Sequence, residues 1–385
     1  MGLSVLLTAL NWFTVRMFAR LNNLVSVFKM IVPVITVIAL FASGWHSDRL
    51  TAHGGFAPYG YAACLSALAG GGIVYSVNGF QAPLDFSGET RHPRRTIPAS
   101  VLTGIGLALL MYLALQLAFL FAVPEHLLDL GWKGVSFDSP FGQLALILNL
   151  HWLSSLLYAD AVVSPGGSAY VGVAIDARHT YALAKNGTIP RAFMQVDRRH
   201  GIPHRALLLN LAVIVLFLLP FGGWQSIVSI MGDMYLLVYA ASAVAVAVFR
   251  ADPGTDMAGW VAGLHWIAPV SFVVSSEFVY WSGWHDLRLA LPLVLAGILI
   301  FLAMRRLGHD DGPLAAELRA GAWLMVYLAA LTVLSWLGTF KGSGRLPAPY
   351  DSLAVAAMAL AVFFWAVRSG VRQLATARVP MPLGE

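Results

Sequence analysis

The chain of 385 residues is 58% hydrophobic and 11% charged, with 24 Lys and Arg against 19 Asp and Glu and one cysteine, Cys64. A soluble domain carries about 25% charged residues, so this composition excludes a water-soluble globule and makes lipid the solvent for much of the surface. An internal disulfide is excluded too, and the net charge of +5 lies in short basic clusters between apolar runs rather than in an aromatic-lined groove, which excludes nucleic acid as a partner.

The first apolar stretch, residues 2–15, has no basic residue before it and so does not read as a secretory signal. It is also too short to span a bilayer, which takes about 20 helical residues. Full-length runs follow at 23–43, 65–87, 98–122, 143–176, 205–221, 225–249, 260–282, 287–304, 320–340 and 352–368. Hydrophobicity on every face at these lengths predicts membrane helices; barrel strands would alternate in segments of about ten residues. The expected architecture is an all-α integral membrane protein of about 10–11 membrane helices, a single polytopic domain over 1–385.

Alternating the loops places most basic residues on one side, including Arg16, Arg20, Arg91, Arg94, Arg95, Arg178 and Arg191. Cytoplasmic loops retain Lys and Arg, so that side is read as cytoplasmic, in a cell inner (plasma) membrane. Met1 then begins outside, the C-terminal tail is cytoplasmic, and a chain starting outside on a stub is expected to be truncated. Trp45, Trp132, Trp224, Trp281, Trp284 and Tyr350 fall near span ends, where amphipathic rings anchor at the interface.

Chemistry concentrates in a few places. From Gly70 to Asp85 the chain carries Gly70-Gly71-Gly72, Asn78-Gly79 and Pro83 midway along a span. One reading is a broken helix whose freed backbone groups line a cavity, as in transporter binding sites. The other is close helix packing through small residues. Glu89 follows among Arg91, Arg94 and Arg95, where a surface ion pair is the plain alternative. Lys29 lies inside a span, either reaching back to the interface or working at depth. Asp160, Ser164 and Ser168 lie on one span, the serines one helical turn apart; such hydroxyls also commonly bond the preceding turn. His200 and His204 are four apart, but Gly201 and Pro203 break the helix that would align them on a metal. Nucleophile-elbow, zinc-protease and phosphate-loop patterns do not occur, so no enzyme, metal or cofactor is expected.

Three stretches in order resemble the amino acid–polyamine–organocation superfamily of permeases: Ala9-Leu10-Asn11-Trp12-Phe13 through Lys29; Gly79-Phe80, Glu89, Pro93 and Ile97-Pro98; and Arg178-His179-Thr180-Tyr181 through Gly187-Thr188-Ile189-Pro190. The resemblance implies a leucine-transporter-type inverted-repeat bundle, with residues 1–250 as permease core remnant, 251–368 as extra C-terminal helices and 369–385 as a cytoplasmic tail. It also implies that the family's first three helices are lacking.

The implied function is secondary active transport of amino acids or related amines, by proton symport or exchange. Asn78, Gly79, Phe80, Gln81 and Asp85 are the expected substrate side, with Phe80 as gate. Lys29 with Ser164 or Ser168 is the expected proton-coupling group, and Glu89 and Arg178 the cytoplasmic mouth. Expected partners are the amino acid or amine, protons and the lipid bilayer. The rival expectation is a non-transporting remnant or scaffold, prompted by the missing helices.

Overall fold

The computed structural model describes every residue except 1, 13–14, 71, 86, 88–89, 198–201, 219–223, 253–262, 307–313 and 378–385. Among the described residues the regular elements are all helical. In chain order they are α1 (Gly2–Leu10), α2 (Val15–Ser43), α3 (Gly60–Gly70), α4 (Ile73–Ser76), α5 (Ala82–Asp85), α6 (Pro93–Ala122), α7 (Pro140–Ile147), α8 (His151–Lys185), α9 (His204–Leu218), α10 (Trp224–Ala251), α11 (Leu264–Ser282), α12 (Trp284–Arg306), α13 (Leu314–Leu337) and α14 (Tyr350–Ala377).

Six of these contain stretches long and apolar enough to cross a membrane: Val25–Ser43, Pro93–Ala122, Ile227–Ala251, Trp284–Arg306, Leu314–Leu337 and Tyr350–Thr376. Their outward faces carry bare aliphatic side chains such as Ile38, Leu110 and Leu299, each more than 60% exposed to the surroundings. A water-facing helix would be polar on that side, so lipid covers these faces and the protein is multi-pass.

Two expected elements differ from what is found, and a third resolves to one of its two readings. The run 143–176 is two helices, not one. Asn149 takes a left-handed conformation (φ 59°), and the Leu150 N–H donates to the Ala145 carbonyl at 2.8 Å. That closes α7 with a Schellman turn, which asparagine tolerates better than other non-glycine residues. The helix expected to start at residue 23 instead starts at Val15, so Arg16 and Arg20 lie in helix rather than loop; arginine and leucine are strong helix formers, and charge alone does not end a helix. The run 65–87 is broken, as one of its two readings had it. α3 stops at Gly70, Gly72 is left-handed (φ 81°) before the single turn of α4, and Gly79 (φ 100°) precedes α5.

The chain forms two compact units. The first, residues 1–58 and 79–220, is organised around α8, which packs against α1, α2, α5, α7 and α9. One apolar cluster joins Leu7, Tyr170, Val173, Ala206 and Leu207; another joins Leu40 of α2, Ala118 and Ala122 of α6, and Leu144 of α7. The second unit, residues 59–78 and 221–385, contains α3, α4 and α10 to α14. Its core includes Phe272, Tyr280, Leu287, Leu331 and Val355, all fully enclosed. Lipid is as apolar as leucine, so burial alone drives little association here. Close packing and interhelical hydrogen bonds must hold both units, and the candidate site is built from such bonds.

Candidate functional site

In the first unit, Lys29 sits on α2 within the apolar stretch Val25–Ser43. Its ammonium donates to the Ser168 hydroxyl on α8. The two helices approach closely here because Gly167 carries no side chain: a Cβ at that position would lie 2.3 Å from Val25 Cγ1. Pro165, inside α8, has no N–H to give to the carbonyl of Ala161. Ser164 turns the other way along α8 and donates to Asp160 Oδ1. Asp160 in turn lies within electrostatic range of Lys29. Of the two serines considered for Lys29, the structure therefore sets Ser168 against the ammonium and Ser164 against the carboxylate. A cation, two hydroxyls and a carboxylate thus share one α2–α8 contact, an arrangement able to hold or release a proton while keeping the helices in register.

Also in the first unit, Asp85 ends α5, and its Oδ1 lies 2.8 Å from His179 Nε2 on α8. Its Oδ2 is buried with no hydrogen-bond partner among the described residues. Gln81 Oε1 accepts the Gly79 N–H at 3.2 Å, which caps the turn entering α5. Phe80 is half-buried beside it. Arg178 bonds back to the Ala174 carbonyl at 3.4 Å along α8. Glu89 lies outside the described residues. His200 does too, while His204 opens α9 and stacks flat on Trp12 with ring centroids 4.1 Å apart.

Asn78 belongs to the second unit. Its Oδ1 accepts the Tyr239 hydroxyl of α10 at 2.6 Å, and its Nδ2 is buried with no partner among the described residues. Buried polar atoms are ordinarily paired, so the free amide N–H and the free Asp85 oxygen are each available to a ligand within their own unit. His179 and Tyr239 were not singled out from sequence. His179 stands next to Arg178 in a stretch read for its arginine and proline. Tyr239 is one tyrosine in an apolar run, 161 residues from its partner.

The chain matches the sequence profile of the family described as "Amino acid permease" over residues 1–304. It is 34% identical over 365 residues to the glutamate/serine transporter AimA of Bacillus subtilis, covering 94% of this chain and 67% of that one. It is 32% identical over 371 residues to the aspartate-proton symporter of the same organism, covering 95% and 71%. A more distant likeness, 24% identical over 264 residues, is to the D-serine/D-alanine/glycine transporter of Escherichia coli K12, covering 64% and 54%. The profile ends within α12, whereas the two Bacillus likenesses extend over nearly the whole chain. On the profile match and on these two relatives together, the chain belongs to the amino acid permease family.

Proposed function

We propose that this protein is a secondary transporter of amino acids whose movement is linked to protons through Lys29, with acidic or small polar amino acids as cargo. The cargo class rests on the two most similar relatives described above, whose names give glutamate, serine and aspartate. The observation that carries the coupling is the α2–α8 contact, where the Lys29 ammonium bonds Ser168 with Asp160 in electrostatic range. With its proton, Lys29 is a cation tied to α8. Without it, the attraction to Asp160 is lost and one donor is gone, so the helices are free to shift.

On this reading Gly79, Phe80, Gln81 and Asp85, at the entry to and along α5 in the first unit, hold the substrate, and Asn78 is a separate candidate contact within the second unit. The Asp85 carboxylate is engaged by His179, so it does not present an unscreened negative charge to an acidic cargo. Arg178 and Glu89 are assigned to the mouth on the basic side of the membrane. The Lys and Arg bias supports a cytoplasmic C-terminus in the plasma membrane of the cell.

Equilibrium binding to the purified full chain tests the cargo. Saturable binding of radiolabelled glutamate, aspartate or serine is expected, displaced by an excess of the unlabelled amino acid. No saturable binding of any amino acid would leave the chain a membrane-inserted scaffold and remove the transport reading.

A further inference from the structure

The second unit contains a buried carboxyl group that the proposed transport reaction does not use. Asp233 on α10 is 1% exposed. It lies against the turn where α11 gives way to α12, and that turn is clamped by the segment following α13. Trp284 donates its N–H to the Phe340 carbonyl at 3.0 Å. A Cβ on Gly283 would lie 2.9 Å from the Phe340 oxygen and 3.1 Å from Lys341 Cδ. The stem of Lys341 therefore lies across the Ser282–Gly283 turn, and its ammonium donates to Asp286 Oδ2 at 3.2 Å.

Ser282 is the one hydrogen-bond partner of Asp233 among the described residues. Its Oγ is 2.7 Å from the Val279 carbonyl oxygen and 3.2 Å from Asp233 Oδ2. A serine hydroxyl has one hydrogen to give. The shorter contact, to a carbonyl that can only accept, takes that hydrogen. The Ser282 oxygen then faces Asp233 with lone pairs alone, and two acceptors in contact repel unless the carboxyl supplies the hydrogen. Asp233 Oδ1 has no partner among the described residues. An unpaired carboxylate enclosed in this way is strongly unfavourable, and taking up a proton is the usual escape.

The other charged neighbours point the same way. Asp286 and Lys341 are within electrostatic range of Asp233 and are already bonded to each other. On α14, Asp351 accepts from the Tyr280 hydroxyl and the Thr339 hydroxyl, both at 2.5 Å. Glu277 on α11 interacts with Asp351 rather than with Asp233. The remaining elements packed on α10, α3 and α4, carry Tyr61, Cys64 and Tyr75 but no charged side chain. Among the described residues no group of three acidic, histidine or cysteine side chains could hold a metal ion, and one carboxyl with one hydroxyl falls far short of the oxygen shell a divalent cation takes.

We propose that Asp233 is a proton-binding site of the second unit, carried as the acid and donating to Ser282, and that on losing its proton to water it draws the Lys341 ammonium away from Asp286. The site is separate from Lys29, and its assignment does not depend on which amino acid is carried.

The full chain labelled with carbon-13 aspartate, in lipid nanodiscs, tests this by infrared spectroscopy at neutral pH. A carboxylic-acid carbonyl band is expected in the wild type and is lost in Asp233→Asn; absence of the band from the wild type overturns the proposal. If Asp233→Asn does not fold, Ser282→Ala serves instead. It shifts the band by removing the hydrogen bond, and an unmoved band overturns the assignment. Melting temperatures give a second reading. An acid kept neutral in the fold but ionised in the unfolded chain lowers stability as pH rises above the ordinary aspartate range. Asp233→Asn is therefore expected to melt at or above the wild type at neutral pH, with a margin that widens at higher pH. A variant that melts well below the wild type at neutral pH, or a wild type stabilised by added sodium or calcium, identifies an ionised Asp233 with a counter-ion and overturns it.

Discussion

Gly167→Ala is the smallest change that attacks the α2–α8 contact. The added methyl group would sit 2.3 Å from Val25 Cγ1 and 3.3 Å from Val25 Cβ, where ordinary contact begins at 3.4 Å. The first gap is short by 1.1 Å, and rotating Val25 about χ1 relieves it poorly, because a valine in a helix is held to one main rotamer. The helices must therefore separate next to the serine that holds Lys29. Forcing one extra carbon into a packed site costs about 1–3 kcal/mol. At roughly 2–4 °C per kcal/mol for domains of about 150–250 residues, the melting temperature should fall by several degrees. Thermal unfolding of the detergent-purified protein measures this. Val25→Ala combined with Gly167→Ala removes the clashing atoms, so the double variant should recover most of the loss, with a coupling of about 0.5–3 kcal/mol between the two positions. An unchanged melting temperature in Gly167→Ala, or a loss that Val25→Ala does not reduce, would refute the close approach on which the site rests.

Tyr239→Phe removes the hydroxyl that serves Asn78 Oδ1 and leaves a buried amide with neither end satisfied among the described residues. A stability loss of about 1–3 kcal/mol is expected by chemical denaturation, along with weaker amino acid binding. His179→Ala strips Asp85 of its partner at Oδ1, whereas His179→Gln retains a donor. Binding assays should show the alanine variant impaired and the glutamine variant closer to wild type. In Gly338→Ala the new methyl group falls 2.1 Å from the Tyr280 hydroxyl oxygen, which holds Asp351 at 2.5 Å. Overpacking of about 1–3 kcal/mol then adds to a lost charge-assisted hydrogen bond of about 1.5–3 kcal/mol, and the variant should melt lower than Gly167→Ala.

Much of the architecture was legible because a membrane helix announces itself through length and uniform apolarity, with no periodic face to decipher. The break in α3–α5 was legible as one of two readings, since glycine, asparagine and proline midway along such a run are what an interrupted helix needs. Gly72 and Gly79 do adopt the left-handed conformation that other residues avoid. The break between α7 and α8 was missed, as one asparagine in a long apolar run reads as a polar insertion until the turn it makes is seen. The early start of α2 is hidden for a different reason: the charges of Arg16 and Arg20 suggest a loop, while arginine is itself a good helix former. For the candidate site, sequence narrowed the partner of Lys29 to two serines one turn apart. Choosing between them required the contact at Gly167, which depends on Val25, far away in sequence. The pairs His179–Asp85 and Tyr239–Asn78 join positions 94 and 161 residues apart, and local patterning does not encode such contacts. Ser282 and Asp233 are hidden in the same way, because a serine at a helix end has an ordinary local use that conceals a distant one.

On the proposed function, amino acid movement is tied to the proton on Lys29. Its most direct test is uptake of radiolabelled glutamate and aspartate into proteoliposomes containing the full chain, with and without an imposed proton gradient, for the wild type and Lys29→Ala. Accumulation by the wild type should be driven by the gradient and collapse with an ionophore, and the variant should still bind its amino acid but no longer respond to the gradient. Gradient-driven accumulation that persists undiminished in Lys29→Ala at every pH would contradict it.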